Sequence, residues 1–99
     1  MRTAFAGRAA AYVAKKDYEK ALRDQDMVIL FYAIEIDVKI DLAAPDRGSL
    51  MKEAAGAYRV RADMFIAAGK INRAEIDLNR AEKLDSEAAK LSAPTTSDK

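Results

Sequence analysis

The chain has 99 residues, of which 51% are apolar and 33% charged, enough for one domain with a small core. A formal charge of +1 gives no electrostatic footprint for nucleic acid. The lack of cysteine removes disulfides and thiolate chemistry, and the lack of histidine removes the commonest general base and zinc ligand.

Alanine is abundant and Gly and Pro are scarce, a balance that favours helix because Ala loses no side-chain entropy there. No apolar run follows Arg2, so no secretory leader is expected. Helix one is predicted over residues 3–14, with Phe5, Ala9, Tyr12 and Val13 spaced for one buried face. Lys15-Lys16-Asp17 is a turn: two lysines close the first helix and Asp17 can cap the second. Helix two starts near Tyr18 and turns Ala21, Leu22, Gln25, Val28, Ile29 and Tyr32 to one side.

The segment 34–42, Ile-Glu-Ile-Asp-Val-Lys-Ile-Asp-Leu, alternates apolar and polar residues and on its own carries a strand signature. Helix is preferred, because a lone strand would find no pairing partner in the chain. Helix two then reaches about residue 43. Ala44-Pro45-Asp46-Arg47-Gly48-Ser49 is the clearest turn, Pro45 ending one helix and Ser49 or Asp46 capping the next. Helix three, to about residue 68, carries Leu50, Met51, Ala54, Ala57, Tyr58, Ala62, Phe65 and Ile66, and Gly69-Lys70 ends it. Helix four, residues 72–91, turns Ile76, Leu78, Ala81, Leu84 and Ala88 inward. The expected organisation is a helical domain over residues 1–91 and a disordered polar tail over 92–99.

Two stretches match when one is slid 53 positions along the other. Phe5 falls on Tyr58, Arg8 on Arg61, Ala9 on Ala62, Tyr12 on Phe65, Ala21 on Ala74, Asp24 on Asp77 and Val28 on Ala81. Such self-similarity marks a repeated helix–turn–helix unit. The pattern resembles the tetratricopeptide repeat (TPR). Unit one reads Phe5, Ala9, Tyr12, Lys16-Asp17-Tyr18, Ala21, Val28, and unit two Tyr58, Ala62, Phe65, Gly69-Lys70-Ile71, Ala74, Ala81. The resemblance implies an all-α fold, a TPR-like α-α superhelix of about four antiparallel helices. The family period is about 34 residues, so the longer lag makes two of the helices unusually long. Three departures stand out: Lys16 replaces the turn glycine, Ser86 stands where proline often follows, and the extra residues separate units that would normally abut. The chain could also be a piece of a longer array.

The resemblance further implies a non-catalytic adaptor or scaffold with a peptide groove along the first helix of each unit. The candidate lining is Ala6, Ala10 and Val13 from unit one with Arg59, Val60, Asp63 and Ile66 from unit two. The lysines and asparagines with which family members grip a peptide carboxylate are missing on this face. Arg59 and Asp63, four apart, can equally pair with each other on a solvated surface.

The run 27–34, Met-Val-Ile-Leu-Phe-Tyr-Ala-Ile, is apolar all round, and such a helix should be covered all round. Self-association through Met27, Leu30, Phe31, Ile34 and Val38 would cover it; so would helix four folding across it. The alternative function is accordingly a purely structural homo-oligomerisation module with no separate peptide ligand.

The run is eight residues where a membrane span needs about twenty, so no membrane partner is expected and the default location is the cytoplasm. No enzyme is expected. Ser49 has no histidine to activate it, Gly48 and Gly69 form no phosphate loop, and Asp24, Asp26, Glu35, Asp37 and Asp41 scatter around a helix axis rather than forming a metal site. No cofactor is implied. The partners expected are a protein or peptide and a second copy of the chain.

Overall fold

The computed structural model describes residues 2–38 and 44–92. They form four helices and, among the described residues, no strand: α1 (Arg2–Ala14), α2 (Tyr18–Val38), α3 (Ala44–Ala67) and α4 (Ile71–Ser92). The fold is all-α. Each helix packs on its chain neighbour. Contacts run in opposite senses along each pair, Phe5 with Phe31 and Arg8 with Asp24, then Tyr32 with Glu53 and Gln25 with Ala57, then Arg61 with Asp77 and Arg59 with Asp85. Consecutive helices are therefore antiparallel, and α1 runs parallel to α3. The array is long and thin, 50 × 27 × 18 Å. Its radius of gyration of 14.8 Å exceeds the roughly 13 Å of a compact chain this size.

The alternating segment is helical as far as it is described, since residues 34–38 are the last turns of α2. Residues 39–43, with the expected end of helix two, lie outside the described residues. Ala44 to Ser49 corrects the sequence reading: this is not a turn but the start of α3. Proline in a first helical turn lacks only an N–H that would have had no acceptor, so Pro45 begins a helix as readily as it ends one. Arg47 there donates to the Ile36 carbonyl at 3.2 Å, tying the start of α3 to the end of α2.

The 53-residue lag reappears in the backbone. After α1, Lys16 adopts φ 62° and after α3 its counterpart Gly69 adopts φ 82°. Asp17 N–H donates to the Tyr12 carbonyl at 2.9 Å and Lys16 N–H to that of Val13 at 2.9 Å. In unit two, Lys70 N–H donates to Phe65 at 2.7 Å and Gly69 N–H to Ile66 at 3.0 Å. Both helices thus end in the same left-handed cap with two crossed bonds, although only one has the glycine that favours it. Asp17 caps α2 as expected, its carboxylate accepting from the Lys20 N–H at 3.4 Å.

Small side chains occupy the helix contacts. Ala9, Ala21, Ala62, Ala74, Ala81 and Ala88 are all buried, the first five at positions that match across the lag. With methyl groups at the seams, the axes approach closely and the half-buried aromatics fill the flanks. One cluster joins Ala9, Ala21 and Met64 beneath Tyr12, Val13 and Leu22, and a second joins Val28, Ile29 and Ala57 beneath Phe5, Tyr32 and Tyr58. The expectation that Ile76 and Leu78 face inward is corrected: both are exposed on α4 and Asp77 between them is buried. The inward stripe is offset from the one the apolar residues suggested, because the ion pair of Asp77 with Arg61 turns that face of the helix to α3.

A left-handed lysine costs about 1 kcal/mol against glycine. Lys16→Gly should therefore stabilise the fold by about that amount, a rise of several degrees in Tm for a domain this small. Gly69→Lys should lower it comparably. Thermal denaturation of both variants checks this, and an unchanged or lower Tm for Lys16→Gly would remove the left-handed cap from the account.

Candidate functional site

Two guanidinium–carboxylate forks hold the hairpins. Arg8 on α1 donates from Nε and Nη2 to both oxygens of Asp24 on α2, at 2.7 and 2.8 Å. Their counterparts 53 residues on repeat the arrangement: Arg61 on α3 grips Asp77 on α4 through Nε and Nη2, both at 2.8 Å. Parallel two-point bonds of this kind fix orientation as well as distance. Each arginine also lies over the aromatic one turn before it, Arg8 over Phe5 at 5.6 Å and Arg61 over Tyr58 at 5.5 Å.

The two forks differ in setting. The Arg8 side chain is 59% exposed, whereas that of Arg61 is 15% exposed and that of Asp77 2%. Arg61 also reaches back across the unit boundary, its Nη1 donating to Asp26 on α2 at 2.8 Å. Buried Gln25 adds a second tie, donating from Nε2 to the Ala57 carbonyl at 2.9 Å. α3 is thus pinned to α4 on one side and to α2 on the other. Asp24 and Asp26, weighed in the sequence as metal ligands, are both engaged by arginines. Among the described residues no group of three His, Cys, Asp or Glu side chains could hold a metal ion.

This pinning leaves a groove of about 470 Å³ between α1 and α3, with α2 as its floor. Ala6, Ala10 and Val13 form one wall; Glu53, Ala57, Val60, Asp63, Met64 and Ala67 form the other; Gln25 and Tyr32 lie beneath. Five of the seven residues expected from the sequence are here: Ala6, Ala10, Val13, Val60 and Asp63. Arg59 and Ile66 are not. Arg59 turns the other way and pairs with Asp85 on α4, not with Asp63, and Ile66 stands exposed outside the groove.

The reason is geometric. A groove between two parallel copies of one helix has two different walls. α1 lines it with the side facing α3, and α3 lines it with the side facing back. The positions matching Ala6 and Val13 on α3 are Arg59 and Ile66, which therefore lie on its far side. The floor and the rest of the α3 wall were missed, yet Glu53, Ala57, Val60, Met64 and Ala67 follow the i, i+4, i+7 spacing of a single helical strip. That strip was the available signal.

The apolar run of α2 splits by face. Val28 and Ile29 are buried, Met27 and Phe31 half-buried, and Phe31 packs on Phe5 with ring centroids 5.8 Å apart. Leu30 and Ile34 are each 48% exposed, so α4 does not cover them. The side chain of Val38 lies outside the described residues. No helix among the described residues is long and apolar enough to cross a membrane. Compared with known protein families, curated proteins and solved structures, the chain matches none.

The Arg8 guanidinium holds the Asp24 carboxyl below the usual carboxylate range, outweighing the opposing effect of burial. A carboxyl lowered in the folded state adds stability above its unfolded pKa, and that stability is lost as pH falls through the folded value. Asp24→Asn should therefore cost stability at neutral pH and much less in acid. Urea midpoints at the two pH values test this; an equal gap at both would contradict it.

Proposed function

We propose that the chain is a non-catalytic, TPR-like protein-interaction module that takes a partner segment in the groove between α1 and α3. The observation that carries the reading is the groove itself. It is open, lined mostly by small and medium apolar side chains, and formed by the first helix of each unit in a duplicated hairpin. Its polar lining groups are Gln25, Tyr32, Glu53 and Asp63. Gln25 bonds the Ala57 carbonyl and the Tyr32 hydroxyl donates to Glu53 at 3.2 Å. Nothing in it pairs a nucleophile with a base, so binding is the function it suits. The repeated caps, forks and buried alanines at one lag support the TPR-like assignment.

Self-association is the companion reading, and a specific comparison between the units favours it. At the positions where α2 carries Met27, Leu30 and Ile34, α4 carries Arg80, Lys83 and Glu87. The same turns of equivalent helices are thus charged in one unit and apolar in the other. Exposed apolar side chains clustered on one helix face mark a contact surface. A two-fold dimer through this face of α2 would leave the α1–α3 groove free, so one assembly can present two grooves. A module that only assembles with itself is the alternative, distinguished by whether the groove binds anything.

Two variants separate these parts. Leu30→Glu with Ile34→Glu should reduce the mass in light scattering to that of a monomer while circular dichroism stays helical; a wild-type monomer at high concentration would remove self-association. Ala10→Trp fills the groove from an exposed position and should abolish partner capture without changing the mass. Capture that survives it would place binding elsewhere.

A further inference from the structure

With the α1–α3 groove as the ligand site, on which this step rests, we propose that its occupant is a basic amphipathic helix of a partner protein. Among the described residues the groove's only ionisable lining groups besides the Tyr32 phenol are two carboxylates, Glu53 and Asp63. Both are exposed, and neither has a cationic partner among the described residues. The cations nearest in sequence do not neutralise them: Lys52 is not part of the lining, Arg59 is taken by Asp85, and Arg61 is taken by Asp77 and Asp26. A carboxylate-ended or acidic segment would meet repulsion here, and a lysine or arginine would meet a carboxylate with no counter-charge.

The form of the ligand follows from the walls. Every wall and floor segment is helical, so its backbone groups are already bonded within their helices. An extended peptide would find no main-chain partners on these walls, and the groove lacks the lysines and asparagines that grip a peptide carboxylate. A helix brings its own backbone bonds satisfied. The alanine steps at Ala6, Ala10, Ala57 and Ala67 give the shallow relief into which another helix sets its side chains. Glu53 and Asp63 are ten positions apart on α3, about 15 Å along its axis. A helix lying alongside α3 matches them with two cations about eleven residues apart, three turns on one face, with apolar residues between them toward the groove.

The test uses the full chain and two fluorescein-labelled helical peptides sharing the same leucine and alanine strip. One carries lysines at the two matching positions and the other carries glutamates. In fluorescence anisotropy at low salt the lysine peptide should bind roughly tenfold tighter, a preference that shrinks as salt rises. Glu53→Gln with Asp63→Asn should bring the two peptides together, and Ala10→Trp should abolish both, each variant being checked for helicity by circular dichroism. If the glutamate peptide binds as well as the lysine peptide and Ala10→Trp still blocks it, the charge assignment is overturned and the groove stands. If neither peptide binds, or binding ignores Ala10→Trp, the groove assignment falls and this proposal with it.

Discussion

One interaction, made twice, sets the geometry of this protein: an arginine on the first helix of a hairpin gripping an aspartate on the second through two parallel hydrogen bonds. The alanines around it are too small to specify how two helices should be rotated against each other. Methyl-lined seams allow close approach but tolerate sliding and turning. A two-point fork does not, because both bonds are satisfied in only one relative orientation. Asp77 is the largest side chain buried to within 2% of its surface, so in unit two the deepest large group is an ion pair rather than a hydrocarbon. Removing one partner of such a pair leaves a charge without its counter-charge, a cost of about 3 kcal/mol or more when nothing else can reach it.

From that fixed orientation the rest follows. With α4 locked, Arg61 keeps its Nη1 to reach Asp26, and Gln25 meets the Ala57 carbonyl. These contacts join the units, and they place α3 beside α1 over the same face of α2. The groove is a consequence of this stacking, and small residues such as alanine and valine make up most of its walls. The exposed turns of α2 lie outside this scheme. Nothing in the hairpin or the groove calls for Leu30 and Ile34 at the surface, and the corresponding turns of α4 do without them.

Most of the fold could be read from the sequence because the repeat multiplies weak signals. A single Lys16-Asp17 or Gly69-Lys70 step is an ordinary turn. Two at one lag, each followed by an alanine four residues past the second residue, define equivalent hairpins, and their left-handed caps agree. The start of α3 misled because Pro45 and Gly48 carry the same local information whether a helix is ending or beginning. The groove was legible in position but not in full. Applying the repeat literally assigns the same face of α1 and α3 to the groove, which places Asp63 in its lining but also Arg59 and Ile66, which stand outside it. Only the spatial relation of the copies says that one helix contributes its forward side and the other its backward side. The forks were half-visible: Arg8 with Arg61 and Asp24 with Asp77 matched across the lag, but pairing each arginine with its aspartate requires knowing which faces the hairpin turns together.

The packing of the helices depends on the Arg61–Asp77 fork, and a double-mutant cycle measures that interaction directly. Stabilities of the wild type, Arg61→Met, Asp77→Leu and the double variant give the coupling between the two side chains, with Arg8→Met and Asp24→Leu as the more exposed internal reference. The predicted result is a coupling of about 2 kcal/mol for the buried fork, well above that of the outer one. A coupling near zero at Arg61–Asp77, with the two single losses simply adding, would show that the fork does not set the packing and would contradict the account.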